Sequence, residues 1–312
     1  MHIVIYSSRG GGPYKIYQLT KTYLEKKGHT VVLYNTFWRS FYSLLFEKKQ
    51  AVISNIPIPF PLKAKYLLNI QGRYFKERHI LRNPLAYLYP LAIPVADDIV
   101  VASLFLRKAL HLPKAKVIPN IIEPVQKEVA KKKRRTFLSL ITINNFAFKE
   151  KALGVFKILE MLASLKADYV LHYDVYGSGK YLAEVRQKAA LLKFPQNIQV
   201  FFHGPTNKVM DVLRASDIFL YWSDLDNMPQ VILEAMMSEL PVISNDVGAV
   251  KEVISDKKNG YICDEHTYLP TLLSLCADKD KRIKVGKEAR SSVIKNFSPE
   301  KIMPLWEKLL RS

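Results

Sequence analysis

Two carboxylates, Asp226 and Glu234, stand eight residues apart in the second half of this chain. Asp226 lies in a loop after the apolar run 218–222, and Glu234 lies in the predicted helix 231–238. A new strand begins at Pro241-Val-Ile. Open α/β folds bind ligands at the carboxyl edge of a parallel sheet, and this strand–loop–helix–strand order places both carboxylates near such an edge. Their oxygens are candidates for accepting hydrogen bonds from a ligand.

The residues around this pair are more informative than the charges alone. Acidic residues at a helix start complement the helix dipole, which would account for one carboxylate. The helix-dipole explanation would not account for four further elements at fixed spacings from the acidic pair: Pro229, Glu234-Ala-Met, Pro241-Val and Asp246-Val-Gly. The whole segment resembles the acidic-x7-acidic signature of glycosyltransferase family 4, written E-G-x-P/G-x4-E-A-M-A-x-G-x-P-V.

The resemblance implies an α/β protein of GT-B architecture, with two Rossmann-like domains whose parallel sheets face each other across a cleft. It implies a retaining hexosyltransferase without metal or cofactor. The donor would be a nucleotide-diphosphate sugar, UDP- or GDP-linked, and the acceptor a hydroxyl of a glycan, lipid-linked or phospholipid-like molecule. Glu234 would accept hydrogen bonds from the ribose, and Asp226 would hold the sugar hydroxyls. Asp226 would act with the backbone of Asn227, Met228, Pro229 and Gln230.

Two glycine-containing loops follow predicted strands. Gly10-Gly11-Gly12 precedes a helix, where glycine lets the backbone approach a ligand and helix N-terminal amides favour an anion. It is not a dinucleotide fingerprint, because lysine occupies the third glycine position. Gly177-Ser-Gly179 lacks the flanking residues of a P-loop. The resemblance implies that the first loop faces the donor diphosphate and that the second is part of the nucleotide-side wall.

Lys151 is the candidate cation. It lies between a predicted strand and a predicted helix, and the resemblance implies that it neutralises the diphosphate leaving group within the family's R-x4-5-K-G segment. The Arg of that segment is not obvious here, which leaves Lys149 as a second candidate cation. A lysine at a helix start that simply faces solvent is the alternative.

Two further positions depart from the family. Asp226 is one methylene shorter than the usual Glu. Gln71 ends a strand of the first half where many relatives have a histidine near the reacting sugar. An amide can donate a hydrogen bond there but cannot act as a base. Gln71 and the nearby Arg73 are the acceptor-side candidates.

Metal and disulfide chemistry are not predicted. Asp224-Leu-Asp226 has the form of a divalent-metal motif, but the transferases that use this motif lack the downstream elements of the signature. Cys263 and Cys276 are the only cysteines and form neither a CxxC motif nor a Cys/His cluster. The first residues read as a short strand rather than a signal peptide, and no membrane-spanning run is expected. A reducing cytoplasm fits this sequence.

The net charge of +19 is unevenly distributed. Residues 1–126, a predicted N-terminal acceptor-side Rossmann-like domain, hold 18 Lys and Arg against 6 Asp and Glu, a net charge of +12. The predicted basic linker 127–135 adds +5, and residues 136–312 add only +2. Residues 136–297 are predicted to form the C-terminal nucleotide-sugar-binding Rossmann-like domain. The amphipathic helix 298–312 is predicted to pack back on the first domain, as in the resembled fold.

Such asymmetry indicates a polyanionic partner. Two segments, 37–49 and 60–94, join cations to aromatic and aliphatic residues and suit an interfacial position on an anionic membrane. The cations of the second segment are Lys63, Lys65, Arg73, Lys76, Arg78 and Arg82. Peripheral binding to the cytoplasmic membrane face is therefore expected. The alternative is that Phe37, Trp38 and Phe41 belong to the core.

Two other classes of protein share some of these features. A nucleotide-sugar epimerase of the same fold would need acid/base carboxylates and histidine in the cleft, and the first half offers few, mainly Asp97, Asp98 and Glu123. A basic nucleic-acid-binding protein would stack bases on its aromatic residues. No known nucleic-acid-binding motif is present in the sequence, so no nucleic-acid partner is predicted.

Overall fold

A computed structural model of the chain describes residues 1–7, 11–73, 84–124 and 135–312. Several predictions fall outside the described residues: Gly10, residues 127–134 of the basic linker, Lys76, Arg78 and Arg82. The chain divides into two compact units, one made of Met1–Glu123 with Asn296–Ser312 and the other of Pro124–Lys295.

The first unit contains a parallel sheet, with six strands in its described part. They are β1 (His2–Tyr6), β2 (Thr30–Tyr34), β3 (Ala51–Ser54), β4 (Lys65–Ile70), β5 (Asp98–Val101) and β6 (Lys116–Val117). Their order is β2-β1-β3-β4-β5-β6, and all neighbours are parallel. Every residue of β3 is buried, as are residues 3–6 of β1. Strands buried on both faces explain why these segments are short, continuous apolar runs.

Helices alternate with these strands. They are α1 (Gly11–Lys26), α2 (Phe37–Phe46), α3 (Tyr89–Ala92) and α4 (Leu104–Ala109), with short 3-10 turns at Pro84–Leu88 and Ile93–Val95. The start of α4 is fixed by Ser103, whose Oγ accepts a hydrogen bond of 3.0 Å from the Leu106 amide. This side-chain cap satisfies one of the amides that a helix start leaves unpaired.

The second unit repeats the arrangement. Its strands are β7 (Leu138–Asn145), β8 (Leu171–Ser178), β9 (Ile198–Gly204), β10 (Ile218–Tyr221), β11 (Val242–Ser244) and β12 (Tyr261–Ile262). The sheet order is β12-β11-β10-β7-β8-β9, again with parallel neighbours. The carboxyl ends of β7, β8, β10 and β11 therefore meet along one edge, which positions the site described below.

Helices follow the strands of the second unit as crossovers. They are α5 (Lys149–Ala163), α6 (Leu182–Ala190), α7 (Val209–Ala215), α8 (Gln230–Met237), α9 (Val250–Val253), α10 (Glu265–Ala277) and α11 (Lys279–Phe297). The start of α10 is a capping box, in which Asp264 accepts from the Thr267 amide and Thr267 accepts from the Asp264 amide. Within the described ranges, no helix has both the length and the apolar character needed to cross a membrane.

The last helix, α12 (Pro299–Arg311), belongs to the first unit. Its apolar side is buried in the same core cluster as Ile3 and Ile5 of β1. The residues that it contributes are Ile302, Met303, Trp306, Leu309 and Leu310. At its end, Lys65 Nζ donates to Ser312 Oγ over 2.8 Å. The amphipathic pattern of this helix thus serves the core of the first sheet.

Candidate active site

Asp226 and Lys151 meet at the carboxyl edge of the second sheet. Asp226 lies in the loop after β10, and Lys151 lies in the first turn of α5, after the neighbouring strand β7. Lys151 Nζ is 2.5 Å from Asp226 Oδ2, and the two side chains are only 21% and 9% exposed. In such a shielded position the attraction between the two charges is weakened less by solvent than at an open surface. The structure therefore joins two predicted site residues in one ion pair.

Three donors hold the Asp226 carboxylate. Oδ2 accepts from Lys151 and, over 2.5 Å, from the hydroxyl of Tyr221. Oδ1 accepts from the Asn227 amide over 2.8 Å. A carboxylate offers about four lone-pair positions. Oδ1 is thus the oxygen with room for a further donor, such as a ligand hydroxyl.

Tyr221 is held in its protonated form. Burial raises the pKa of its hydroxyl well above the ordinary value, and the negative charge of Asp226 raises it further. A neutral phenol donates one hydrogen bond, and here that bond goes to the carboxylate. Tyr221 therefore fixes the direction in which Asp226 presents its second oxygen.

Lys151 is positioned by the contacts of helix α5. Phe148 stands at the N-cap in extended backbone, and Asn144 Nδ2 donates to the Lys151 carbonyl over 3.0 Å. Further along the helix, a Cβ added to Gly154 would lie 1.9 Å from the Trp222 carbonyl oxygen. Only glycine allows the helix to approach the end of β10 so closely. This approach brings the lysine to the aspartate loop.

Gly177 and Gly179 allow the end of β8 to approach the end of β7 and the residues after it. Both have φ of 142°, in the left-handed region that favours glycine. A Cβ on Gly177 would lie 2.0 Å from the Asn144 carbonyl oxygen, and one on Gly179 would lie 2.2 Å from Phe146 C and Ala147 N. At Gly179 the chain after β8 therefore packs on the segment that leads from β7 into α5. A nucleotide-side role for these glycines stays a prediction.

The Asp246-Val-Gly segment lies against the backbone of the aspartate loop, and Gly248 allows this contact. Its φ is 59°, and a Cβ at this position would lie 2.5 Å from the Asp226 carbonyl oxygen. The next amide, of Ala249, donates to the Asn227 carbonyl over 2.9 Å. The loop after β11 thus supports the backbone of Asp226 and Asn227.

The segment between the two carboxylates is partly a core element. The side chains of Met228 and Pro229 are buried, and Pro229 occupies the N-cap position of α8. Gln230 begins the helix, and Glu234 lies half-buried one turn further on. A side-chain role for Met228 or Pro229 in ligand binding is therefore not supported by their burial.

Lys149 is exposed at the first position of α5. Its charge acts on Glu184 of α6, whose pKa is lowered mainly by its hydrogen bond and ion pair with Lys188 and to a smaller extent by Lys149. Lys149 thus shares the helix start with Lys151 but faces a different neighbour.

The remaining predicted residues belong to the first unit. Gly11 and Gly12 form the start of α1. Gln71 Nε2 donates to Asn69 Oδ1 over 3.1 Å, at the end of β4. The Arg73 guanidinium lies over the Phe105 ring, 5.4 Å from its centre.

Potential metal ligands are dispersed. In the part of the chain that the structure describes, no three His, Cys, Asp or Glu side chains come together as a metal site. Asp224 is exposed, whereas Asp226 is buried beneath Lys151. Cys263 and Cys276 are both buried free thiols. Burial raises the pKa of the Cys276 thiol to about 11.

Sequence reasoning missed two supporting residues. The only signal for Tyr221 was its hydroxyl group within the otherwise apolar run 218–222, shortly before Asp226. Asn245 binds both main-chain groups of Ser223: its Nδ2 donates to the carbonyl over 2.8 Å, and its Oδ1 accepts from the amide over 3.0 Å. An asparagine directly after a strand was the only signal for this clamp between the ends of β10 and β11.

Comparison with solved structures shows the fold. Anabaena HepE, solved in complex with UDP, superposes with a TM-score of 0.77 at 15% identity, over 100% of both chains. Two parallel-sheet units with this likeness confirm the predicted GT-B fold class. The sequence pattern of the family described as Glycosyl transferases group 1 matches residues 126–292, more than half of the chain. The chain therefore belongs to this family.

Curated relatives match about half of this chain. The chain is 29% identical over 171 residues to N-acetyl-alpha-D-glucosaminyl L-malate synthase of Bacillus anthracis, covering 54% of this chain and 44% of the relative. It is 27% identical over 154 residues to poly(ribitol-phosphate) alpha-N-acetylglucosaminyltransferase of Staphylococcus aureus, covering 47% and 30%. These matches span less than half the length of either relative.

Proposed function

We propose that this chain is a family-4 hexosyltransferase, which moves a hexose from a UDP- or GDP-linked sugar to a hydroxyl of a glycan, lipid-linked or phospholipid-like acceptor. The observation that carries the proposal is the Lys151–Asp226 ion pair at the carboxyl edge of the second sheet. Membership of the group 1 family supports sugar transfer as the reaction class. HepE, which has the same fold, was solved with UDP and with UDP-glucose.

The chemical problem is the departure of a nucleoside diphosphate from the anomeric carbon, since negative charge grows on the leaving group. An ammonium carries three N–H donors. One is bonded to Asp226, so two can face diphosphate oxygens. The N-terminus of α5 has no side-chain cap, and its amides and dipole favour an anion there. Lys149, at the exposed first position, is the proposed second cation.

Recognition of the donor is assigned to the neighbouring loops. Asp226 Oδ1 and the backbone of 227–230 would hold the sugar hydroxyls, and Glu234 would accept from the ribose. Glycines of both units would allow close approach of the backbone: Gly10, Gly11, Gly12, Gly177 and Gly179. Gln71 and Arg73 of the first unit are the proposed acceptor-side residues.

Retention of configuration is proposed because the sequence resembles glycosyltransferase family 4. The Asp226 carboxylate already accepts from Lys151, Tyr221 and the Asn227 amide, so no nucleophilic role is assigned to it. The proposed step is attack by the acceptor on the face that the diphosphate leaves. The bond from the anomeric carbon to the diphosphate oxygen breaks, the bond to the acceptor oxygen forms, and the acceptor proton passes to the departing diphosphate.

Donor binding is the first test. Thermal unfolding with UDP-, GDP- and ADP-glucose should show stabilisation by one nucleotide class, since a ligand at one hundred times its Kd adds about 2.7 kcal/mol. Lys151→Met should reduce the shift, whereas Lys193→Met, at an exposed lysine of the same unit, should leave it intact. The proposal fails if no donor stabilises the protein or if both variants respond like the parent.

Transfer assays separate the remaining alternatives. Activity should survive EDTA, and the anomeric proton of the product should show the configuration of the donor by NMR. Loss on chelation with recovery in manganese would instead support the Asp224-Leu-Asp226 metal motif. Conversion of the donor to an epimeric nucleotide sugar without any acceptor would support an epimerase.

A further inference from the structure

Helix α2 of the first unit presents its apolar side outward. Its exposed large residues follow the spacing of one helix face, with exposed fractions between 47% and 77%. They are Trp38, Phe41, Tyr42, Leu45 and Phe46, here called the aromatic face. The Tyr42 and Phe46 rings contact each other, with centres 4.9 Å apart. The alternative that Trp38 and Phe41 belong to the core is therefore wrong.

The inward side of the same helix carries Leu44, which packs against the core of the first sheet, and a group of polar contacts. Ser43 is buried, and its Oγ lies 3.0 Å from the Tyr6 hydroxyl of β1. Glu47 bonds to Ser43 and lies 2.7 Å from His2 Nε2. Lys49 Nζ donates to the Ser43 carbonyl over 2.6 Å. Most of the large apolar side chains of this helix thus face outward, whereas the apolar stripe of an ordinary surface helix faces the core.

Charge accompanies the aromatic face. Arg39 and Lys48 are both exposed, and Arg39 lines an open depression of about 690 Å³ with residues of the aromatic face and Tyr34. The one carboxylate of segment 37–49, Glu47, is turned inward to His2. The outward charge of this helix is thus positive, within a half that carries +12 over residues 1–126.

We propose that the aromatic face of α2 is a docking surface for an anionic lipid bilayer. Trp and Tyr favour the headgroup boundary of a membrane, and cations beside an apolar helix face are attracted to anionic lipid. A second copy of the chain is disfavoured, since two such faces would bring like charges together. The surface belongs to the first unit alone, and its test needs no sugar transfer.

Vesicle flotation with an internal fluorescent probe tests the proposal. The protein should float with vesicles of equal parts phosphatidylcholine and phosphatidylglycerol, not with phosphatidylcholine alone, and binding should fall in high salt. Of the three tryptophans, Trp306 is buried and Trp222 half-buried, so Trp38 is the exposed reporter. Its emission should be quenched by brominated phosphatidylglycerol, and Trp38→Phe should remove most of that quenching.

Matched variants locate the contact. Phe46→Ser should lower vesicle partitioning about tenfold, the expected effect of withdrawing one aromatic side chain from an apolar environment. Leu191→Ser, at an 84% exposed leucine of the second unit, should not change it. Arg39→Glu should weaken binding to anionic vesicles, whereas Lys193→Glu should not. Lys151→Met should bind vesicles like the parent, which separates this proposal from the proposed function.

Several results would overturn the proposal. Equal flotation with neutral and anionic vesicles would exclude selection by charge, and equal effects of Phe46→Ser and Leu191→Ser would exclude α2 as the contact. A dimer by light scattering that Phe46→Ser dissociates would identify the aromatic face as a self-association surface. Salt-dependent binding of single-stranded oligonucleotide that the same variant abolishes would identify it as a nucleic-acid surface.

Discussion

The Lys151 ammonium lies 2.5 Å from the Asp226 carboxylate, between a helix that follows β7 and a loop that follows β10. Each residue is thereby the counter-ion of the other in a largely shielded position. A substitution at either one leaves the remaining charge without its partner, which costs stability in addition to any loss of function. Variants of the site must therefore be read with stability and activity measured together.

Comparing Lys151→Met with the double variant that also carries Asp226→Asn separates the loss of stability from the loss of activity. Lys151→Met should lower the free energy of unfolding by about 1–3 kcal/mol, because Asp226 loses a charged donor while it stays buried. Adding Asp226→Asn should recover part of that stability, since the buried charge is gone. Turnover should stay low in both variants, because the cation that faces the growing diphosphate charge is absent. Full recovery of turnover in the double variant would show that Lys151 acts only through Asp226.

Glu234→Gln should weaken donor binding by about 1–3 kcal/mol, because a charge-assisted hydrogen bond to a ribose hydroxyl becomes a neutral one. Titration calorimetry with the donor and with its nucleoside diphosphate checks this, since both contain the ribose. Similar losses for the two ligands are expected. Unchanged affinity in a variant with the parent's circular dichroism would remove Glu234 from the donor site.

Tyr221→Phe tests the support of Asp226. It removes a hydrogen bond to a charged group, so we expect a loss of about 1.5–3 kcal/mol in unfolding free energy. Tyr173→Phe is the matched control: this tyrosine is also fully buried in the second sheet, but its hydroxyl bonds to Thr142 over 2.7 Å. The donor KM should rise in Tyr221→Phe and remain near the parent value in Tyr173→Phe. Equal changes in KM would mean that the effect is general loosening of the sheet.

The same tyrosines predict a pH dependence of stability. Burial raises the pKa of both hydroxyls above the unfolded value of 10.0. Above pH 10 the unfolded chain loses these protons while the folded chain keeps them, so stability falls as the pH rises. Each Phe substitution should make that fall shallower by about 1.4 kcal/mol per pH unit. Urea denaturation between neutral and alkaline pH measures the slope, and an unchanged slope in both variants would contradict it.

Gly248→Ala should reduce activity through the aspartate loop. The new Cβ would lie 2.5 Å from the Asp226 carbonyl oxygen, and φ there is 59°. We expect a stability loss of about 1–3 kcal/mol, from overpacking and backbone strain. The control is Gly204→Ala, which shares a positive φ of 86° but has open space around its Cβ. If the two alanines lower turnover equally, the close contact with Asp226 is not the cause.

Much of the fold follows from local pattern. Short apolar runs in the sequence coincide with β1, β3, β4 and β5, because strands buried on both faces of a parallel sheet are mostly apolar. Helix α2 shows the limit of that reasoning. Its aromatic spacing is that of an amphipathic helix, but spacing does not state whether the apolar side faces inward or outward. The outward orientation depends on the Tyr6, Ser43 and Glu47 contacts, which join distant parts of the chain.

The charged residues of the candidate site could be predicted from the sequence, but the contacts that hold them in place could not. Asp226, Glu234 and Lys151 were marked by spacing within known segments. Their ion pair and the role of Tyr221 depend on which strands are neighbours, and β7 and β10 are separated by more than seventy residues. The sequence alone does not show why position 248 must be glycine, since the atoms that would clash with a side chain come from another loop.

Glu239 has a backbone conformation that favours glycine. Its φ is 60°, and it stands two residues after the end of helix α8, where the family signature has a glycine. A non-glycine residue in the left-handed region is destabilised by about 1–2 kcal/mol. Glycine avoids this strain but loses more conformational entropy on folding, which offsets part of the stabilisation. Glu239→Gly should therefore stabilise the protein by about 0.5–1 kcal/mol. Urea denaturation gives the difference.

The ion pair of Glu239 with Arg290 is a weak one. Its carboxylate is 3.9 Å from Arg290 Nε, at the outer limit of an ion pair. Arg290 also donates to the Met237 carbonyl over 2.7 Å, a bond that the substitution leaves in place. Ser238→Gly is the control, since Ser238 has an ordinary φ of −83° and its hydroxyl bonds to the Glu234 carbonyl. It should destabilise by about 0.5–1 kcal/mol. If both glycines destabilise the protein, the carboxylate of Glu239 contributes more than the relief of its backbone.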